Sequence, residues 1–181
     1  MPRIPIIERA AMNAEQARVY DAAERAKSPV GGPFTAYIRL PKLFEAAQGL
    51  RESLASGPLS AREQQIVNLT VARHWGARYP WFAQARRSLT VGISQSVIDA
   101  INARQTPDLP DERERTCHAV ARELLADKGL SDASYAAAEK TMGLESLVAL
   151  IAATGSFSMT CMTANTFGIE PPAENPTPLK A

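Results

Sequence analysis

Apolar residues in this chain recur three and four positions apart, between clusters of glycine, proline and capping residues, which predicts helices along most of its length. The most complete example runs from Ser60 to Gly92. Ser60 followed by Glu63 is a capping box: the hydroxyl accepts from a first-turn amide and the carboxylate reaches back to the cap amide. Ile66, Val67, Leu69, Thr70, Val71, Ala72 and Trp75 then cover most sides of a helix, which predicts a central, largely buried element. Gly76 suits its C-terminus. Pro80 suits the first turn of a second helix, where its missing N–H is no loss. Trp81, Ala85, Ser88 and Leu89 continue at helical spacing until Gly92. The stretch reads as two helices meeting at a bend, with Trp75, Tyr79, Trp81 and Phe82 packed around it.

The flanks follow the same rules. Residues 1–12 read as an extended arm, because Pro2 and Pro5 disfavour helix, and Ile4, Ile6 and Ile7 need cover from the domain's own flank or a neighbouring subunit. Asn13 with Gln16 is a second capping box and opens a helix to about Lys27. Residues 28–33 read as a Pro/Gly loop. Pro41 starts another helix, with Leu43, Phe44, Ala47, Leu50 and Leu54 on one face, ended by Gly57 and Pro58. Ser94 and Asp111 cap two further helices, and Ser131 or Asp132 a third. The last helix, Leu144 to about Phe167, is apolar nearly all round, as in a helix buried in a large core or shared with another subunit. Residues 13–170 form one helical domain, and 171–181, rich in proline, read as a flexible tail. No strand and no repeat is predicted.

Composition narrows the function classes. A length of 181 residues suits one well-buried domain, and a net charge of +1 with scattered arginines gives no reason to expect nucleic acid. Cys117 and Cys161 are far apart, fit no metal spacing and sit in apolar stripes, where they read as buried thiols. No signal peptide opens the chain, and no membrane span free of charge or breaker is found, so a cytoplasmic protein without membrane partners is expected.

The segment REQQIVNLTVARHWGARYPWFAQARRSLTVGIS resembles the carboxymuconolactone decarboxylase family, which shares its fold with alkylhydroperoxidase D-type peroxidases. The segments PRIP, GGPFTAYIRLPKLFEAAQGL, GLSDASYAAAEKTMG and TANTFGIEPP extend the likeness to about Pro172. The resemblance implies an all-α, alkylhydroperoxidase D-like helical bundle. It also implies a homo-oligomer, a trimer or hexamer. In activity it implies lactone decarboxylation assisted by proton transfer, or thiol-based peroxide reduction, with no cofactor. The departures bear on that activity. The family's glutamate positions fall on Gln65 and Pro80, its histidine on Gln84, and the two cysteines of the peroxidases on Ala77 and Pro80.

Two rows of side chains carry the candidate site. Gln65 lines up with Leu69, Ala72 and Gly76 on the first helix, and Ala77, Pro80, Gln84 and Ser88 line up on the second. Packed as in the family, the rows face each other and Gln65 approaches Gln84. Neither glutamine ionises near neutral pH, so the pair can bind a carboxylate or carbonyl, or each other, but cannot act as general acid or base. Pocket-lining candidates are therefore Gln65, Leu69, Tyr79, Pro80, Trp81 and Gln84. His74 falls on the opposite side of its helix from Gln65 and reads as a core-edge or interface residue, and His118 as a boundary residue. Arg73, Arg78, Arg86 and Arg87 can offer a fork to a carboxylate; of these Arg87, together with His74 and His118, is kept as a weaker site candidate. No metal site is expected from two isolated histidines. Two functions follow: an enzyme acting on a small lactone, carbonyl or carboxylate compound, or a catalytically silent small-molecule-binding or scaffold protein.

Overall fold

The computed structural model describes residues 3–180. Among the described residues, a 3-10 turn at Arg9–Ala11 is followed by nine α-helices: α1 (Ala14–Arg25), α2 (Phe34–Tyr37), α3 (Pro41–Ala55), α4 (Ala61–His74), α5 (Arg78–Thr90), α6 (Gln95–Asn102), α7 (Glu112–Asp127), α8 (Asp132–Met142) and α9 (Leu144–Phe167). There is no strand among the described residues.

Local chemistry sets most of the boundaries. Asn13 and Gln16, and Ser60 and Glu63, close reciprocal capping boxes at the starts of α1 and α4. Ser94, Asp111 and Ser131 accept from the third helical amide of α6, α7 and α8. Gly76 takes a φ of 58° between α4 and α5, the left-handed conformation that lets the chain reverse there.

Helix α4 lies at the centre, against α5, α6, α7 and α9. Its Ile66, Val67, Leu69, Val71 and Ala72 are wholly buried in the main core with Trp81, Ile98, Cys117, Leu147, Leu150 and Cys161. At its N-terminal end α4 is pinned to α7 by two crossed ion pairs, Arg62 with Glu114 and Glu63 with Arg113. The Glu63 carboxylate, which also caps α4, takes the Arg113 Nε–H at 2.7 Å. A second, smaller core joins Val19, Ala23, Tyr37, Ile38 and Phe44 of α1–α3.

The helix α9 is long and apolar enough to span a bilayer by length and composition. It is packed against α3, α4, α5, α7 and α8. It keeps one face outside, on which Leu144, Val148, Ile151 and Met162 are exposed.

The N-terminal arm is covered in part by the domain's own flank: Ile7 and Met12 pack on the smaller core, Arg3 N–H donates to the Phe167 carbonyl, and Ile6 stays exposed. The C-terminal segment, expected to be a flexible tail, has no regular structure but is tied to the body. Trp81 Nε1 donates to the Thr177 carbonyl at 2.9 Å, Asn102 Nδ2 to that of Pro178, and Lys180 N to Asn102 Oδ1. Leu179 reaches the main core. Proline-rich composition predicts the lack of helix; it carries no information about an indole and an amide elsewhere in the chain that hold the segment down.

Candidate functional site

Helices α3, α4, α5 and α9, with α2 and the loop before it, line a cavity of about 230 Å³. The capping box fixes where α4 starts, and so puts Gln64, Gln65 and Asn68 on one face. Pro80, Ala83, Gln84 and Arg87 repeat at helical spacing on α5, and Ala47, Leu50, Arg51 and Leu54 on α3. Ser156, Phe157, Met159 and Thr160 of α9 close the far side. The loop before α2 supplies Pro29, Gly31 and Pro33, and α2 itself Phe34 and Tyr37. The position of Gln84 is therefore at an open cavity.

The predicted residues divide. Gln65, Tyr79, Pro80, Gln84 and Arg87 line the cavity. Leu69 and Trp81 do not: both are 0% exposed in the main core. The row drawn through Gln65 and Leu69 fails because only the first turns of α4 border the cavity; one turn on, the same face meets the core. Trp81 follows Pro80 by about 100° of helix, which turns its indole away from the cavity and towards Thr177.

Gln65 and Gln84 line the same cavity, and the side-chain hydrogen bond that Gln84 accepts comes from Asn68, whose Nδ2 donates to Gln84 Oε1 at 3.4 Å. Gln65 is only 4% exposed, and its Oε1 has no hydrogen-bond partner among the described residues. An orphaned buried carbonyl at a cavity wall is costly unless something in the cavity donates to it. Gln64 spends its amide on the Leu54 and Leu59 carbonyls, tying α4 to the end of α3.

Arg51 is the residue that the sequence reading missed. Its Nη2 donates to Ser28 Oγ at 3.1 Å and its Nε to Gln48 Oε1 at 3.3 Å, so uncharged groups hold it. Burial, and then the nearby charge of Arg87, push its pKa down. No carboxylate among the described residues lies within ion-pair distance of Arg51 or Arg87. The other arginines weighed as a fork are elsewhere: Arg78 pairs with Glu170 at 3.0 Å, Arg86 stacks on Phe82 at 5.4 Å, and Arg73 lies against a different groove. Only the spacing of Arg51 from Leu50 and Leu54 could have pointed to it, and that marks it as the edge of an apolar face.

No described residue lining the cavity is Asp, Glu, His, Lys or Cys. Its ionisable groups are the two guanidiniums and the phenols of Tyr37 and Tyr79, and burial pushes the Tyr79 phenol further up. Cys117 and Cys161 are buried away from it, Cys117 pushed up to about 12 and Cys161 higher still, chiefly by desolvation. His74 is exposed on the far groove, edge-on to Trp75, and His118 is buried in that groove's wall. No group of three or more His, Cys, Asp or Glu residues that could hold a metal occurs among the described residues.

At the level of sequence, no family profile and no curated protein matches the chain. Its structure matches solved ones. An uncharacterised peroxidase-related protein of Ralstonia eutropha with an alkylhydroperoxidase AhpD core superposes with a TM-score of 0.78 at 20% identity, over 96% of this chain and 93% of that one. A peroxidase-related protein of a Silicibacter species gives 0.73 at 18% identity, over 96% and 91%. The debrominase Bmp8, as a cysteine-to-alanine variant in complex with 2,3,4-tribromopyrrole, gives 0.73 at 14% identity, over 93% and 92%. The chain has the all-α, AhpD-like helical bundle fold. It has no Cys-x-x-Cys motif.

Proposed function

We propose that this chain is a small-molecule-binding protein on the AhpD-like fold, and that its ligand is a small planar carboxylate. The observation that carries this is the pair Arg51 and Arg87: two guanidiniums at one cavity, with no carboxylate partner among the described residues. A carboxylate there would balance one of the two positive charges and accept fork-like hydrogen bonds. The walls suit a flat ring, with Phe34, Tyr37, Tyr79 and Phe157 as aromatic surfaces. The volume lies below the range of about 300–1,000 Å³ usual for drug-sized ligands, which favours a single-ring compound. A structure of the same fold holding tribromopyrrole, also a single planar ring, is consistent with that size class.

Binding, rather than turnover by proton transfer, is the better-supported reading. The resemblance to the decarboxylases puts Gln65, Pro80 and Gln84 at the acid and base positions, and none of these can exchange a proton near neutral pH. The glutamines instead suit recognition: Gln65 Oε1 accepts a hydroxyl or N–H of the ligand, and the Gln84 amide offers donors. A thermal-shift screen of benzoate, hydroxybenzoates, pyrrole-2-carboxylate and their amides tests this. Carboxylates should raise the melting temperature and the amides should not.

Self-association through α9 belongs to the same proposal. Leu144, Val148, Ile151 and Met162 are exposed at spacings that keep them on one side of the helix, with Gly155 between. Such a stripe marks an interface more often than a solvated face. Light scattering at micromolar concentration should give an oligomer, with Val148→Glu shifting it towards monomer; a wild-type monomer would contradict self-association.

A further inference from the structure

On the other side of α4 lies a larger groove, of about 820 Å³, between the C-terminal turn of α4, the linker 103–111 and α7. It shares no residue with the first cavity. Its lining is cationic. Arg104, Arg115 and Arg122 stand around it, and Arg73 and His118 form its inner wall at 8% and 6% exposure. The charges are close enough to act on each other: Arg104 helps to depress both Arg73 and His74, and Arg122 helps to depress His118, in each case after burial itself.

The acidic residues of the groove do not pair with Arg104, Arg115 or Arg122. Glu123 accepts from Ser131 N at 2.7 Å and is held low by the Ser131 and Ser134 hydrogen bonds, so its carboxylate serves the cap of α8. Asp127 forms no ion pair with Arg104, Arg115 or Arg122, and no other described carboxylate does. Arg115 gives one Nη to the Leu109 and Pro110 carbonyls, which fixes the linker at the groove's edge. Arg104 occupies a left-handed position just past α6, φ 59°, where glycine is the ordinary choice. His118, although more than nine-tenths buried, has no hydrogen-bond partner among the described residues and borders the groove.

We propose that this groove is a second ligand site, for a phosphate-class oxyanion held by Arg104 and Arg122 with the His118 imidazole in its inner wall. Phosphate oxygens accept the planar fork of arginine in pairs, and a neutral imidazole adds one further donor. The site is separate from the cavity between α3, α4, α5 and α9, and does not depend on the reading given for that cavity.

The test is calorimetric titration of the full chain with pyrophosphate, phenyl phosphate and inorganic phosphate in a low-salt, phosphate-free buffer. Saturable 1:1 binding of at least one is expected. Arg104→Ala combined with Arg122→Ala should weaken it about tenfold or more, as for the loss of two charge-assisted donors, with the melting temperature unchanged. His118→Gln, which keeps a donor, should weaken it less. Preference for phenyl phosphate would indicate an organic ester, and equal affinity free phosphate. Excess benzoate should leave the titration unchanged. Absence of saturable binding, equal affinity in the double variant, or displacement by benzoate would each overturn the proposal.

Discussion

The ring of Tyr79 lies so close to the backbone of Gly32 that a β-carbon on Gly32 would stand 2.2 Å from Tyr79 Cε1. Gly32 also has a φ of 60°, where a side chain is strained in any case. Loop and ring thus fit together at the edge of the cavity, although they lie far apart along the chain. Gly32→Ala should destabilise the protein by about 1–2 kcal/mol from the backbone alone. It should also displace Tyr79 and weaken ligand binding. Tyr79→Phe should leave stability within about 0.5 kcal/mol, because the hydroxyl has no partner among the described residues to lose. Thermal unfolding of both variants checks this; an unperturbed Gly32→Ala protein would refute the close fit.

Gln65 offers a sharper separation of stability from function. Its buried Oε1 is unpartnered in the protein, so a side chain of similar size without that oxygen should relieve a cost. Gln65→Met is expected to stabilise by about 1 kcal/mol while weakening ligand binding. That pattern is the trade expected of a residue kept for binding. Loss of stability would mean that Gln65 serves the packing instead.

Much of this could be read from the residues in order, and the limits have a physical cause. Caps are local: Asn13 with Gln16 and Ser60 with Glu63 sit within one helical turn, so sequence spacing determines them. The α4–α5 bend is local in the same sense. Partner choice across helices is not. The helical period places Gln65, Leu69 and Ala72 on one side of α4, but it does not say where the cavity stops and the core begins. Asn68, one turn from Gln65, faces Gln84 because of the way α4 and α5 cross. Arg51 reaches the site from α3, and the tail is held by Trp81 and Asn102; neither contact leaves a mark in spacing.

The cysteines should be chemically silent. Desolvation lifts Cys117 to about 12 and Cys161 further, leaving almost no thiolate at neutral pH. No turnover of alkyl hydroperoxide with a dithiol reductant is expected, and Ellman's reagent should label neither thiol until the protein unfolds. Rapid labelling in the native state, or peroxide turnover abolished by Cys117→Ser, would contradict this.

His118 makes stability depend on pH. Burial first, and then Arg122, lower its pKa from 6.5 to about 4. The folded state therefore prefers the neutral ring. As pH falls below 6.5 the unfolded chain takes up a proton that the folded chain refuses until about 4, so stability falls across that window and the His118 contribution levels off below it. The whole effect is at most about 3–4 kcal/mol. His118→Gln should flatten this part of a denaturant-measured stability profile between pH 6.5 and 4, while carboxylate effects persist in both proteins. Identical profiles would show that the imidazole titrates normally.

The most direct measurement is a calorimetric titration of benzoate against benzyl alcohol, on wild type and on an Arg51→Ala, Arg87→Ala variant. Ring and size are nearly constant, so the difference between the two compounds isolates the carboxylate. Benzoate is expected to bind the wild type with a stoichiometry of one, benzyl alcohol at least about tenfold more weakly, and the double variant should lose that preference while keeping its fold. Equal affinities for the two compounds in wild type, or a preference for benzoate that survives loss of both arginines, would contradict the assignment of the cavity as a carboxylate site.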